Sequence, residues 1–514
     1  MFRRGPFVLA SILLLAACGG DDSTDVIGSV DVTATSSTDS TTNSTNGSDA
    51  TDSPSTDALG SSEIDWTDCG VENVDCGYLS VPLDYENPDG DTVEIFVARH
   101  QALDPENRIG SLLVNPGGPG FGGSVLAFAA TQIYSESILE RFDIIGFDPR
   151  GTGESIPAVD CVDDYDLWFT EGDITPDTDA ERQEAIDKVE EYAEICLGDN
   201  ADFVEYVGTN NVARDMDSIR RALGEETISY FGFSYGSELG AVWVTLFPDT
   251  VRAAVLDGAA DPSTDPIEAS LQQRRGFEEA LGRFLAQCSS NRSCRFHNDG
   301  DAEGAFDELM AFIDENPLPT RQGRPDLTRG MTLTAVAQAM YDQQYWSTLE
   351  GALVAAADGD GSELLDLWDT YYQRQPDGSY GNELEAFVAI GCADEDERFT
   401  IEEADSFVPR FQEVAPRFSP YTLGDYSCTF WPAALDPRVD ITGIGAGPVL
   451  VIGTTGDAST PLESTRNMAR ALQDGRLLIV DAEQHTGYSA STCAQDVVDR
   501  YLIDLIAPDD ETEC

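Results

Sequence analysis

The pentapeptide Gly-Phe-Ser-Tyr-Gly at residues 232–236 constrains the fold of this chain more than any other feature. The β-rich residues 227–231 before it predict a buried strand, and residues 238–246 after it predict a helix. A G-x-S-x-G turn between a strand and a helix bends the backbone sharply and exposes the serine oxygen. The pattern therefore predicts that Ser234 is a nucleophile at one edge of a central sheet.

A serine nucleophile needs a basic partner, and the chain has only three histidines. On this kind of elbow the base comes after the serine in the chain. His100 precedes Ser234 and lies in a predicted strand, whereas His297 lies in a polar loop. His485 follows residues 476–480, which predict the last strand of the sheet. Order and location therefore favour His485 as the base.

The acid that orients the histidine is less constrained, because carboxylates abound. Asp457 follows the predicted strand 447–453 and precedes His485 by one strand and one helix. Asp257, at the end of the predicted strand 251–256, is the alternative. Either residue would lie at the carboxyl edge of a parallel sheet, where ligands bind. We favour Asp457 and expect it to stabilise the charged imidazole after His485 has taken the serine proton.

The oxyanion formed during acyl transfer requires preorganised N–H donors. One predicted donor is the backbone amide of Tyr235, which follows the nucleophile. The other is expected in Asn-Pro-Gly-Gly-Pro-Gly, residues 115–120, after the predicted strand 111–114. Gly118 is the preferred donor and Gly117 the alternative.

A further strand and tight loop, residues 142–155, contain Asp148 and Arg150. We expect both side chains to brace the loop beside the active site and to take no part in the chemistry.

Four motifs taken together resemble a known family. In chain order they are Pro-Gly-Gly-Pro-Gly, Asp-Pro-Arg-Gly-Thr-Gly-Glu-Ser, Gly-Phe-Ser-Tyr-Gly-Ser and Thr-Gly-Asp-Ala-Ser-Thr-Pro. From about Cys69 onwards the chain resembles the secreted bacterial tripeptidyl aminopeptidases and proline iminopeptidase-like serine peptidases. The resemblance implies an α/β-hydrolase fold, with a mostly parallel central sheet and flanking helices. It also implies an exopeptidase that works through an acyl-serine, with Ser234, Asp457 and His485 as the triad.

One departure from the family pattern narrows the expected substrate specificity. Proline iminopeptidases usually carry histidine at the first place of the oxyanion motif, where this chain has Pro116 after Asn115. This difference favours the tripeptidyl branch over strict proline specificity. Residues 390–394 resemble the start of the C-terminal region of that branch.

The predicted domain organisation places a helical insertion between two halves of one core. Residues 63–261 form the half with the nucleophile, and residues 441–514 form the half with the acid and the base. Residues 262–440 predict a mainly helical cap, with helices over 271–287, 302–315, 334–357 and 362–374. A second insertion, residues 157–207, contains an acidic amphipathic stretch at 179–197. A cap over the carboxyl edge suits short peptides better than folded proteins.

Exopeptidases of this type need a negative group for the free ammonium of the substrate. The candidates are Glu383, Glu385, Asp394 and Glu395. In so acidic a chain, we expect a solvated surface position for each of them.

The first 62 residues predict export and anchoring. Two arginines precede an apolar run at residues 7–17, and Leu-Ala-Ala-Cys at 15–18 matches a bacterial lipobox. We expect residues 1–17 to be a signal peptide and Cys18 to be lipidated; simple cleavage without lipid is the alternative. Residues 18–62 have the Ser, Thr and Asp content of a disordered stalk. The predicted location is the outer face of the cytoplasmic membrane.

Ten cysteines remain after Cys18, and an even number in an exported chain predicts disulfides. Pairing between neighbours is the simplest arrangement. The expected pairs are Cys69–Cys76, Cys161–Cys196, Cys288–Cys294, Cys392–Cys428 and Cys493–Cys514. Metal binding by cysteines is the alternative, but the sequence has no Cys-x-x-Cys pair, so a metal is not expected. No other cofactor is expected.

The charge of the chain restricts its partners. Its 95 acidic and 29 basic residues give a formal net charge of -66, and Lys188 is the only lysine. Such a protein repels phosphates, which excludes nucleic-acid binding. The composition favours a saline habitat, where salt screens the repulsion between like charges.

Two other functions compete with the peptidase. A carboxylesterase or lipase would use the same triad, because an acyl-serine forms from esters as well as amides. A lipid-anchored solute-binding protein without catalysis is a remote alternative, against which the intact Ser, Asp and His argue.

Overall fold

The computed structural model describes residues 63–162, 165–169, 175–176, 178–420, 424 and 426–514. The predicted signal peptide, Cys18 and the stalk lie outside the described residues. In the described part of the chain, ten strands form one sheet in the order β1-β2-β3-β5-β4-β6-β7-β8-β9-β10. The pairs β1–β2, β2–β3 and β3–β5 are antiparallel, and all the others are parallel. The predicted α/β-hydrolase fold, with a mostly parallel sheet, is confirmed.

The strands are short, as in most open sheets. They are β1 (Thr67–Asp68), β2 (Val74–Pro82), β3 (Thr92–His100), β4 (Gly110–Asn115), β5 (Phe142–Phe147), β6 (Ile228–Phe233), β7 (Val251–Asp257), β8 (Val449–Thr454), β9 (Gly475–Val480) and β10 (Thr512–Glu513).

Helices cover both faces of the sheet and form the insertions. Those that precede β7 are α1 (Ser124–Phe128), α2 (Ala130–Ile133), α3 (Glu136–Arg141), α4 (Tyr165–Phe169), α5 (Asp179–Asp199), α6 (Thr209–Ala222) and α7 (Tyr235–Leu246). Those between β7 and β8 are α8 (Pro266–Ser290), α9 (Ala302–Glu315), α10 (Arg329–Met340), α11 (Trp346–Ala357), α12 (Ser362–Tyr371), α13 (Glu383–Asp394), α14 (Ile401–Ser406) and α15 (Val408–Val414). The last two are α16 (Leu462–Ala471) and α17 (Thr492–Asp504).

The central strands of the sheet are buried along their whole length. Every residue of β4, β5, β6 and β8 is buried, so these strands are apolar without the alternation of a half-exposed strand. One face of the sheet packs against a core that includes Trp243 of α7, and the other against a core that includes Tyr501 of α17. Because β4 and β6–β9 run parallel, their carboxyl ends meet at one edge.

The buried residues of α13 belong to the core that includes Trp243, whereas helices α8–α12 have a core of their own. It includes Phe284, Phe306, Trp346 and Trp368, all buried. We call α8–α15 with their connections the cap. A layer with an independent apolar core can sit above the sheet edge without disturbing the packing of the sheet.

Two predictions for the cap were wrong in detail. The single helix predicted over 334–357 is two helices, α10 and α11, separated at residues 341–345. The Asp342 carboxylate accepts the Gln344 amide at 2.6 Å and so begins a new turn there. The helices α13, α14 and α15 were not predicted, although residues 390–394, at the end of α13, resemble a family motif.

The five predicted disulfides are present. Cys69–Cys76, Cys161–Cys196, Cys288–Cys294, Cys392–Cys428 and Cys493–Cys514 are all bonded. Cys392 belongs to α13, so its bond to Cys428 fixes the end of that helix to the segment between α15 and β8. Cys514 ties the C-terminus to the start of α17.

Candidate active site

Ser234 sits on the bend between β6 and α7. Its backbone has φ 55° and ψ -127°, a conformation that non-glycine residues rarely adopt. The Ser234 amide donates to the Asp257 carbonyl at 2.8 Å, and the Tyr230 hydroxyl donates to the Gly236 carbonyl at 2.7 Å. A β-carbon at Gly232 would collide with that same carbonyl oxygen. The bend is therefore held by its neighbours, and strain of this kind concentrates at functional sites.

Asp457 and His485 are in direct contact, although they lie on loops after different strands. The imidazole Nδ1 is 2.9 Å and 3.0 Å from the two carboxylate oxygens of Asp457. The Asp457 carboxylate also accepts the amides of Ser459 and Thr460 at 2.9 Å and 2.8 Å. These bonds hold the carboxylate in place, so it can orient the imidazole.

The other nitrogen of the imidazole is free. His485 Nε2 is buried and has no hydrogen-bond partner in the described part of the chain. Burial lowers the pKa of His485, but the charge and hydrogen bond of Asp457, together with the charge of Asp257, outweigh burial and raise the pKa above its ordinary value. The ring can therefore take a proton at Nε2, while Asp457 stabilises the positive charge.

Asp257, the alternative acid, has different partners. Its carboxylate accepts the Gly487 amide at 2.7 Å and the Tyr488 amide at 2.8 Å, and it makes no hydrogen bond with the imidazole. Burial raises the pKa of Asp257 to about 7. Of the two candidates, only Asp457 binds the imidazole.

The glycine-rich loop after β4 lies directly against the bend. Gly117 has φ 99°, and a β-carbon there would lie 2.9 Å from Ser234 Cβ and 3.0 Å from the Tyr235 amide nitrogen. Its own amide donates to the Asn115 side chain at 2.9 Å. Since Gly117 is engaged in this bond, Gly118 stays the better candidate for the second donor beside Tyr235.

The cap contacts the base at its helix break. The Tyr341 carbonyl accepts the His485 amide at 2.8 Å, and the Tyr341 ring packs edge-on against the imidazole at 5.4 Å between centroids. The Gln343 amide donates to the Glu483 carbonyl at 2.9 Å. Sequence reasoning missed these residues, because a continuous helix has no free backbone groups to offer a loop.

Arg283 of the cap helix α8 bridges the two loops that carry Asp457 and His485. Its Nε donates to Glu483 at 2.8 Å, and a terminal nitrogen donates to the Gly456 carbonyl at 3.0 Å. The start of α13 packs against the glycine-rich loop, where the Glu383 carbonyl lies against Gly120. The cap thus contacts both the loops of the acid and base and the loop of the predicted oxyanion donor.

The expectation that the four cap carboxylates are solvated is wrong for three of them. Glu383 is partly buried, and its Oε2 is buried without a hydrogen-bond partner among the described residues. Glu385 and Asp394 are 2% and 6% exposed. Glu385 accepts the Cys161 amide at 2.8 Å. Asp394 accepts the amide and hydroxyl of Thr209, and that hydroxyl also bonds the Tyr235 hydroxyl at 2.5 Å. Backbone donors at loop and helix ends compensate for the burial of Glu385 and Asp394.

Asp148 and Arg150 are buried and bonded to structural groups. Asp148 accepts the Ser124 and Glu154 amides, each at 3.0 Å. Arg150 forms a fully buried pair with Asp215 at 2.6 Å. Both side chains make the bonds that bracing a loop requires.

The other two histidines lie elsewhere. His100 ends β3 and is buried, and His297 bonds the Cys288 carbonyl at 3.0 Å. Within the described residues there is no group of three or more His, Cys, Asp or Glu side chains that could hold a metal ion. None of the described helices is long and apolar enough to cross a membrane.

Comparison with known proteins agrees with the fold. Residues 110–489 match the model of the alpha/beta hydrolase fold family. The chain is 34% identical over 484 residues to serine protease Hip1 of Mycobacterium tuberculosis, which covers 88% of this chain and 91% of that protein. It is 34% identical to carboxylesterase B of Mycobacterium tuberculosis over 86% of this chain and 87% of that protein. It is 32% identical to the tripeptidyl aminopeptidase of Streptomyces coelicolor, over 86% of this chain and 84% of that protein. The chain therefore belongs to the α/β hydrolase fold family.

Proposed function

We propose that the protein is a serine peptidase that releases short peptides, most simply tripeptides, from the N-termini of peptide substrates. The observation that carries the proposal is the buried Asp457–His485 pair, whose second imidazole nitrogen is free. Ser234, on the strained bend, supplies the nucleophile.

In the proposed mechanism, His485 Nε2 removes the proton from Ser234 as the oxygen attacks the substrate carbonyl. The amides of Tyr235 and Gly118 stabilise the negative oxygen of the tetrahedral intermediate. The imidazolium then gives its proton to the leaving amine, and an acyl-serine remains. Water attacks this acyl group with the help of the same imidazole, so Ser234 is regenerated.

The cap supports a short-peptide substrate. It contacts the base through Tyr341 and the glycine-rich loop through the start of α13, so it borders both the base and the predicted oxyanion donor. Relatives named serine protease and tripeptidyl aminopeptidase, each aligned over most of this chain, support amide hydrolysis. The relative named carboxylesterase B makes ester hydrolysis the second candidate.

The test is a panel of aminoacyl, dipeptidyl and tripeptidyl chromogenic amides together with short-chain esters, at matched enzyme concentration. We expect turnover of tripeptidyl amides and its loss in Ser234→Ala. Turnover of esters alone would replace the peptidase by the carboxylesterase. Hydrolysis that survives in a folded Ser234→Ala protein would remove the proposed nucleophile.

The proposed location is the outer face of the cytoplasmic membrane, through a lipid on Cys18. Support comes from the lipobox and from the Ser/Thr/Asp-rich segment that follows it. Cys18→Ser should move the protein from the detergent phase to the aqueous phase in a phase-partition assay on cells that express the full chain. Equal partition of the two proteins would contradict the anchor and leave export by simple cleavage.

A further inference from the structure

Asp257 occupies an unusual position between the nucleophile and the base. It is the last residue of β7, the strand between β6, which leads to Ser234, and β8. The residue is completely buried. Its backbone carbonyl accepts the Ser234 amide at 2.8 Å. The backbone of Asp257 therefore holds the strained bend.

The side chain of Asp257 bonds the loop that carries the base, His485. One carboxylate oxygen accepts the Gly487 amide at 2.7 Å, and the other accepts the Tyr488 amide at 2.8 Å. These amides come two and three residues after His485. Gly258 packs against the imidazole, since a β-carbon there would lie 3.2 Å from Cε1 and 3.4 Å from Nδ1. One dipeptide thus contacts both the nucleophile and the base.

We infer that Asp257 is a positioning residue that fixes His485 relative to Ser234 and adds a second negative charge beside the imidazole. The inference rests on the proposed function, because it assigns a task at the same site. Asp257 does not touch the reacting atoms. It acts through the loop that carries His485.

Because of the charges around Asp257, its support of the His485 loop depends on pH. The charged groups that act on its carboxylate are His485 and Asp457. Burial raises the pKa of Asp257 to about 7, in the range where the imidazole also titrates. A protonated carboxyl carries an O–H donor, so only one of its oxygens remains a full acceptor for the two backbone amides. Below neutral pH the loop therefore loses part of its support.

Asp257→Asn tests the inference. The amide side chain has one acceptor, and its NH2 group would face a backbone N–H. We expect kcat for the best tripeptidyl amide to fall roughly 10- to 100-fold while KM changes little. The acid limb of the kcat/KM profile should move to lower pH, because the removed charge had favoured the protonated imidazole.

Asp143→Asn is the matched control. Asp143 is also a nearly buried aspartate in the sheet, and it accepts the Ala102 amide at 2.8 Å and the Arg108 guanidinium at 2.8 Å. It lies near the amino end of β5, away from the site. We expect this variant to lose stability without moving the acid limb.

The outcomes separate this inference from the proposed function. A fluorophosphonate probe should label Ser234 in Asp257→Asn more slowly than in the unmodified enzyme, and it should not label Ser234→Ala. If the acid limb does not move and kcat per labelled site is unchanged, the role of Asp257 is overturned, whereas the proposed function stands. If Asp257→Asn does not fold, the pH profile of the unmodified enzyme provides the test. The acid limb of log kcat/KM against pH should be steeper than the slope of one that a single protonation gives. A slope of one would overturn the inference.

Discussion

The two sides of Ser234 are held by different kinds of interaction. On the base side, side chains do most of the positioning: Asp457 and Asp257 bond the His485 loop, and Arg283 ties that loop to the cap. On the oxyanion side, the backbone does so, because the glycine-rich loop packs against the bend and against the start of α13. The base side is therefore sensitive to charge and pH, whereas the oxyanion side is sensitive to added bulk.

The largest expected effect is on the base side. Asp457→Asn should lower kcat by about 10⁴-fold, because the amide favours the wrong imidazole tautomer. KM should change little, since the Asp457 carboxylate is buried and bonded to His485, Ser459 and Thr460. Steady-state kinetics on a tripeptidyl amide provide the measurement. A loss no greater than that of Asp257→Asn would mean that the two aspartates share the role.

The oxyanion side should respond next most strongly. Gly117→Ala puts a β-carbon 2.5 Å from the Phe233 carbonyl and 2.9 Å from Ser234 Cβ. We expect the displaced loop to cost about 10²- to 10³-fold in kcat. Gly359→Ala is the control, because Gly359 has a similar φ of 92° and open space around it. Equal losses in the two variants would attribute the effect to backbone strain alone.

Arg283 tests whether the cap contributes to the base side. Arg283→Met keeps much of the side-chain volume and removes the bonds to Glu483 and Gly456. Loss of these charge-assisted bonds should reduce kcat/KM about tenfold. Arg295→Met removes a more exposed pair with Glu350 and should leave kcat/KM unchanged. Unaltered kinetics in Arg283→Met would show that the cap covers the site without supporting it.

The smallest expected effect is on stability. Burial raises the pKa of Asp257, Glu385 and Asp394 to about 7 each, above the values of about 4 for unfolded carboxyls. Between these pH values the folded state binds more protons, so stability falls as pH rises from about 4 to 7. We expect Tm at constant salt to rise by a few degrees when pH is lowered from 8 to 6. Asp394→Asn should flatten this dependence.

The sequence predicted the features that depend on local patterns. The buried strands follow from apolar runs, and the bend at Ser234 follows from the glycines around it. The chain order pointed to Asp457 and His485, whose side chains are in contact. Features that depend on contacts between distant segments were missed. Nothing near residue 341 in the sequence indicates that the helix breaks to bind the His485 loop, and nothing near Asp394 indicates that Thr209 compensates for its burial.

The break between α10 and α11 has a consequence for engineering. The Tyr341 carbonyl that holds the His485 amide belongs to the cap, so a protein cut back to its sheet would lose one fixed point of its base. When caps are exchanged between relatives, activity should therefore be preserved only if the incoming cap has an equivalent helix break at the same position. Chimeras joined elsewhere would keep the fold and turn over slowly.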